Sequence, residues 1–478
     1  MFNFQAKLLD KSDKHLSLVS LWMLFWVLTS FSCIVQSASN VPQIGEHQLN
    51  PDYWQAKPAS NGETRMTNSQ IKAFNQSLFA QNPHMVYPLE TAAELDKRTL
   101  MNKIASISSV PKSARFYADK SRLTNTHFQP YLDNINLDKI KDNNTVQFGL
   151  VVKRASLRTF PTTDRVFNQG MDFDLDRFQE SAVFPGEAVA ILHVSADGAW
   201  YLVQNYNYLA WVKQDAIAIG NRDQIQAFVD DQNFLLITGA KVLTNYVPLE
   251  PQISELQLDM GVKLPLIAKE KQQQELYGQS TAATYQVLLP IRKQDGSLDF
   301  QAALISRSQD VQIGYLTFNT DNLIAQAFKF LGERYGWGHD YNGRDCTGFV
   351  GEIYKTFGIF MPRNSGQQGV GEYGTNFRFD KEVETNSKIA VINTLEIGDL
   401  IYIPGHVMMY LGQENEQPVV IHDVKGLAYW TPEGEYYSGV LNAVSVTPLL
   451  PLQLNKKTTY LDRIYNIKRI SLESRVGN

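Results

Sequence analysis

The chain has 478 residues, 44% of them hydrophobic and 19% charged, with a net charge of −5 that is dispersed along it. This describes an ordinary globular protein with apolar material for several cores, about three domains at roughly 150 residues each. It shows no basic stripe that would release counterions from phosphates, so nucleic acid is not an expected partner.

The N-terminus differs from all that follows. Lys7, Lys11 and Lys14 precede an almost wholly apolar run from Leu16 to Val35, and short residues follow at Val35 and Ser37. This pattern predicts a secretory signal over residues 1–37, cleaved after about Ser37. The alternative is an anchor, because the run approaches the ~20 residues that cross a bilayer. Membrane contact is therefore expected only through an uncleaved leader, and the protein itself in the periplasm or cell envelope. Phe31 is too bulky for a lipoprotein site at Cys33. Cys33 leaves with the signal, so the mature chain keeps Cys346 alone and forms no internal disulfide.

Residues 38–145 read as a polar wrapping segment. One helix start is visible, where Thr67, Asn68 and Ser69 precede Ile71, Phe74 and Leu78. Residues 146–221 change to short strands, with an Asp197-Gly198 hairpin signal and Trp200 and Trp211 spaced to face a small core. This pattern predicts an SH3-like barrel. Residues 222–318 predict a second, more divergent barrel, with another Asp-Gly turn at Asp295-Gly296 and a polar loop over 269–285. Residues 319–478 mix helices with a later β run. Asn319 opens a helix with Ile324, Ala327, Phe328 and Leu331 on one face, a second helix starts at Cys346, and the β run begins at Asp399. The whole is of α+β class.

The chemistry concentrates in that last segment. Phe349, Val350, Ile353 and Phe357 recur at helical spacing, Gly358 closes the helix and Asp345 is a suitable N-cap. Cys346 then stands in the first turn, where unpaired amides and the helix dipole favour a thiolate and can hold an oxyanion. The equally plain reading is that Cys346 starts the apolar stripe and is core. A thiolate needs a base. The stretch "DLIYIPGHVMMYLGQENEQPVVIHDV" predicts a hairpin that brings His422 opposite or nearly opposite His406. In the activated-cysteine arrangement His422 orients the His406 ring; otherwise both are satisfied strand histidines. Cys346, His406 and His422 are isolated in sequence, with no paired spacing of a zinc site, so no metal and no cofactor is expected. His339 sits in a glycine-flanked loop and reads as a loop residue.

Four stretches carry a resemblance: "RYGWGHDYNGRDCTGFV" (334–350), "MPRNSGQQ" (361–368), "IGDLIYIPGHVMMYLG" (397–412) and "VIHD" (420–423). In order and spacing they resemble the NlpC-type papain-like cysteine peptidases of bacterial cell walls. Upstream, 152–167 and 178–204 look like the first of two bacterial SH3-like domains in a subgroup of that family, and "NPDYWQ" (50–55) resembles its N-terminal clip. The resemblance implies a papain-like domain behind two barrels, with Cys346 as nucleophile, His406 as base and His422 as the orienting residue. It implies that Tyr335 stands near the oxyanion and that Asp345 receives a substrate amine, with Thr347, Arg363 and Ser365 also on the substrate side. The implied reaction cuts the bond between γ-D-glutamate and a diamino acid in peptidoglycan stem peptides or muropeptides with a free N-terminal L-alanine, by a monomer. Thr347 replaces the family's usual serine and His339 a frequent glycine. Two other readings are a non-catalytic wall-binding protein and a thiol amidase or acyltransferase on another amide.

Overall fold

The computed structural model describes residues 41–57, 62–380 and 383–472. The expected leader, with Cys33, lies outside the described residues. Among the described residues no helix is long and apolar enough to cross a membrane. Residues 41–45 belong to a short separate unit, with a turn at 42–43. Glu46 onward is one compact unit.

The segment before the first barrel-like region is more helical than its polarity suggests. A short helix, Pro51–Gln55, is capped by the Asn50 side chain and buries Trp54 completely, with the indole N–H donating to the Gln48 carbonyl. The helix Asn68–Gln81 starts at Thr67, as expected, with Gln70 closing a reciprocal capping box and Ile71, Phe74 and Leu78 buried. Two further helices, Lys97–Ile107 and Asn125–Asn134, were not visible in the sequence. The first buries only Leu100 and Ile104, and the second contains Pro130, so neither carries a strong apolar stripe of its own. Both are held by a large core shared with the β regions.

The first β region is a seven-stranded antiparallel sheet. Its spatial order is Gln179–Val183, Ala155–Arg158, Leu209–Lys213, Trp200–Gln204, Ala188–Val194, Gln147–Val151 and Ile217–Gly220. Trp200 and Trp211 are buried in its core. The second β region is built from smaller sheets. Phe234–Ile237 pairs with Lys263–Pro265 and Val311–Ile313, and Thr284–Arg292 forms a hairpin with Leu298–Ser306 across the Asp295-Gly296 turn. The polar loop expected at 269–285 holds a minimal pairing, Glu275–Leu276 with Gln279–Ser280, on an otherwise exposed stretch.

The C-terminal segment packs helices against a six-stranded antiparallel sheet. The order is Thr375–Arg378, Asn466–Arg469, Leu400–Ile403, His406–Glu414, Gln417–Trp430 and Tyr436–Pro448. The preceding helix, Thr320–Phe328, is capped by Asn319. It stops one turn earlier than the apolar spacing suggests, so Leu331 lies beyond its end and only half-buried, while Leu323 and Phe330 take the core places. The molecule is α+β.

Candidate active site

Cys346 opens the helix Cys346–Lys355, and Asp345 is its N-cap. The cap also anchors the surrounding loop. Asp345 Oδ1 accepts from the Gly348 amide at 2.9 Å, the Thr347 hydroxyl at 3.0 Å and Arg363 at 3.1 Å. Its Oδ2 accepts from Arg363 at 2.7 Å and from the Gly338 amide at 3.1 Å. Burial acts to raise this carboxyl, but the Arg363 guanidinium outweighs it and holds Asp345 ionised, well below the usual range. Arg363 also bonds the Thr347 hydroxyl and, through Nε, the Ser181 hydroxyl of the first β region at 2.7 Å.

The strands Leu400–Ile403 and His406–Glu414 meet at the exposed Pro404-Gly405 turn, which sets His406 at a strand start. The next strand pairs Met409 with Ile421 and Tyr410 with Val420, then shifts by one residue at Gly412. This register puts His422 diagonal to His406 on one face of the sheet, and His406 Nε2 lies 2.8 Å from His422 Nδ1. The far nitrogen of His422, Nε2, lies 2.9 Å from the Thr447 hydroxyl on the edge strand. The Val407 amide, next in the chain to His406, donates towards the Cys346 thiol. The thiol at a helix start therefore neighbours the start of the strand that carries His406.

The electrostatics reverse one expectation. The helix terminus alone favours a thiolate, yet Cys346 is only 7% exposed and its pKa is pushed up to about 12. Burial is the main cause and the neighbouring Asp345 charge adds to it, while the Val407 amide and Arg363 offset them only in part. Burial also pushes His406 down, to about 4. His422 is fully buried and lowered by burial and by His406. At rest the group is a neutral thiol beside neutral imidazoles.

Tyr335 lies close by, with its amide donating to the Asn442 carbonyl at 3.0 Å. Burial first, with the Asp345 charge adding to it, keeps its hydroxyl protonated. Thr347 and Arg363 join Asp345, whereas Ser365 begins the helix Ser365–Val370, where its carbonyl accepts from Tyr465 at 3.4 Å. A loop of the first β region flanks Tyr335: Asp174 pairs with Arg334 at 2.6 Å and accepts from Asn442 at 3.3 Å. His339 is a loop residue, but a buried one. It bonds Glu352 at 3.1 Å and Arg363 at 3.2 Å, and Gly348 leaves it room, since a Cβ there would stand 2.7 Å from His339 Nε2. Thr447 and the His339–Glu352 link had no local sequence signal, because both arise from pairing between distant segments.

Comparison with known proteins bears on family and fold. Residues 332–445 match the NlpC/P60 family model, and residues 164–213 match that of the SH3 domain of SH3b1 type. A Bacillus cereus relative, named gamma-D-glutamyl-L-lysine dipeptidyl-peptidase, is 28% identical over 260 residues, which are 49% of this chain and 66% of that protein. The match thus spans just under two thirds of the relative's length. In fold, the chain is similar to an NlpC/P60 endopeptidase from Photobacterium damselae subsp. piscicida, with a TM-score of 0.68 at 18% identity over 86% of this chain and 94% of that one. Residues 332–445 are an NlpC/P60 domain, that of a family of cysteine peptidases acting on peptidoglycan, and an SH3b1-type domain precedes it in the chain.

Proposed function

We propose that this protein is an exported cysteine peptidase that hydrolyses the bond between γ-D-glutamate and the diamino acid of peptidoglycan stem peptides carrying a free N-terminal L-alanine. The observation that carries this is the contact of the helix-start thiol with the Val407 amide, next in the chain to His406, which pairs with His422. Cys346 Sγ attacks the γ-carbonyl carbon as its proton passes to His406 Nδ1, the nitrogen not engaged by His422. The carbonyl oxygen gains the electron pair, with the Cys346 backbone amide and the Tyr335 hydroxyl as its donors. Collapse breaks the C–N bond, and the leaving amine takes the proton from His406. Water, deprotonated by His406, then releases the γ-glutamyl product and the thiol.

The flanking residues support the peptide class. Asp345 keeps its charge and so offers an anion to a substrate ammonium, with Thr347 and Arg363 around it and Ser365 on the substrate side at the start of the helix that follows Arg363. The Asp174 loop of the first β region stands as a wall beside Tyr335, which limits how much chain can precede the γ-glutamyl unit. The relative's name supports lysine as one diamino acid.

The test is hydrolysis of L-Ala-γ-D-Glu-L-Lys and its diaminopimelate counterpart, each with free and acetylated N-termini, followed by mass spectrometry. The expected result is cleavage after γ-D-glutamate of the free forms, loss of at least ~10⁴-fold in Cys346→Ala, and poor turnover of the acetylated forms. Retention on peptidoglycan with no cleavage under reducing conditions points to a wall-binding protein and ends this reading.

A further inference from the structure

The dyad raises a question of proton order. His406 Nε2 and His422 Nδ1 share one hydrogen over 2.8 Å, and His422 Nε2 and Thr447 Oγ1 share another over 2.9 Å. A neutral imidazole carries one N–H and one lone pair, so each ring donates once and accepts once. The order along the chain is therefore all or none. In one order His406 Nε2–H donates to His422 and His422 Nε2–H donates to Thr447, which leaves His406 Nδ1 bare. In the other, Thr447 donates to His422, His422 donates to His406, and His406 Nδ1 already holds a proton. Only the first lets His406 take the thiol proton.

A carboxylate in the orienting position would set this order by itself, since it only accepts. An imidazole does not, so the order rests on whether the group beyond it accepts or donates. Asp423, the chain neighbour of His422, does not serve: it is fully buried, and neither oxygen meets a hydrogen-bond donor among the described residues. Thr447 is also fully buried, held in the edge strand opposite Val420, and its hydroxyl is the partner of His422 Nε2.

We infer that Thr447 is a positioning residue that accepts the last hydrogen of the His406–His422 chain and so keeps an unprotonated nitrogen of His406 turned towards Cys346. This rests on the reading of His406 as the base. Without the hydroxyl, an N–H at His422 Nε2 has no partner. The hydrogen then moves to His422 Nδ1, and His406 is forced into the wrong tautomer.

The test uses the full chain, labelled with ¹⁵N-histidine, as wild type, Thr447→Val and Thr447→Ser. In the wild type, NMR should show both His406 and His422 protonated on Nε2. Thr447→Val should move the proton of both to Nδ1 and lower kcat about 10- to 100-fold, the range set by leaving a buried donor unpaired, with KM within about twofold. Thr447→Ser should restore tautomer and kcat. Nδ1-protonated rings in the wild type overturn the inference, as does a folded Thr447→Val with wild-type kcat, or a Thr447→Ser as impaired as the valine variant. If the valine variant does not fold, the wild-type spectrum and the serine variant still decide. A wild type that cleaves neither tripeptide ends the peptidase reading instead, and the spectra then judge the proton order alone.

Discussion

A thiol at the first position of a helix faces orphan amides and the positive end of the dipole, but at Cys346 burial and the adjacent Asp345 charge are stronger. On the proposed mechanism the proton then leaves the sulfur during attack rather than before it, and His406 must be unprotonated to receive it. Because burial lowers His406, its charged form appears only in acid. kcat/KM should accordingly fall below the ordinary imidazole value, with the limb drawn towards about pH 4, and stay level through neutral pH. Alkylation of Cys346 by iodoacetamide should keep accelerating well above pH 9, because the thiolate fraction is still small there. An alkylation rate that has already levelled off below pH 7 would mean a standing thiolate–imidazolium pair and overturn this account.

At the scale of elements, what aligns the two histidines is a defect in the hairpin that carries them. The register between His406–Glu414 and Gln417–Trp430 shifts between Tyr410 and Gly412, where Gly412 adopts φ +135°. Trp54 from the N-terminal segment packs over that point: a Cβ on Gly412 would stand 3.4 Å from its ring. A non-glycine residue strains such a backbone, so Gly412→Ala should cost about 1–3 kcal/mol in chemical denaturation and lower kcat more than KM through misalignment of His422. A variant with wild-type stability and turnover would show that the bulge does not set the dyad. The sequence disclosed the parts whose rules are local: the Asp345 cap and the stripe after Cys346, the hairpin over 399–424, the Thr67 helix start. It did not disclose the bulge, Thr447 or the helices at 97–107 and 125–134. Each depends on which distant segment packs against it, and a slip of one residue turns a strand over. What opposes the thiolate expected at Cys346 is hidden for the same reason, since desolvation is a property of the folded neighbourhood and not of the helix terminus.

Across the whole molecule, the loop behind Cys346 is where the β regions are tied to the C-terminal sheet. Arg344 is fully buried and reaches four partners: Glu352 at 2.6 Å, Glu333, the Ala240 carbonyl at 2.7 Å and Asp259 at 3.2 Å, the last two from the second β region. Arg154 of the first β region donates to the carbonyls of His339 and Gly343 at 2.8 and 3.0 Å, and Gln179 donates to Gly338 at 2.7 Å. The same loop leads from Tyr335 to Asp345, so the oxyanion side and the thiol inherit their positions from contacts made by the β regions. A guanidinium serves this role because it offers five donors in a fixed fork, which an ammonium cannot reproduce. Removing it takes away the cation that Glu352, Glu333 and Asp259 share, leaving Lys241 beside Glu333 and Arg154 beside Asp259 as partial compensation, and breaking one side of a buried ion pair costs about 3–5 kcal/mol. Arg344→Met should therefore lower the melting temperature steeply and split the calorimetric transition, with the β regions and the C-terminal sheet no longer unfolding together. Arg344→Lys should recover only part of the loss. Turnover should fall in both, because Tyr335 and Asp345 lose their common support. A single transition with unchanged enthalpy in Arg344→Met would mean that the other contacts between the regions, such as Lys355 with Glu187 and Arg363 with Ser181, hold them together without this charge.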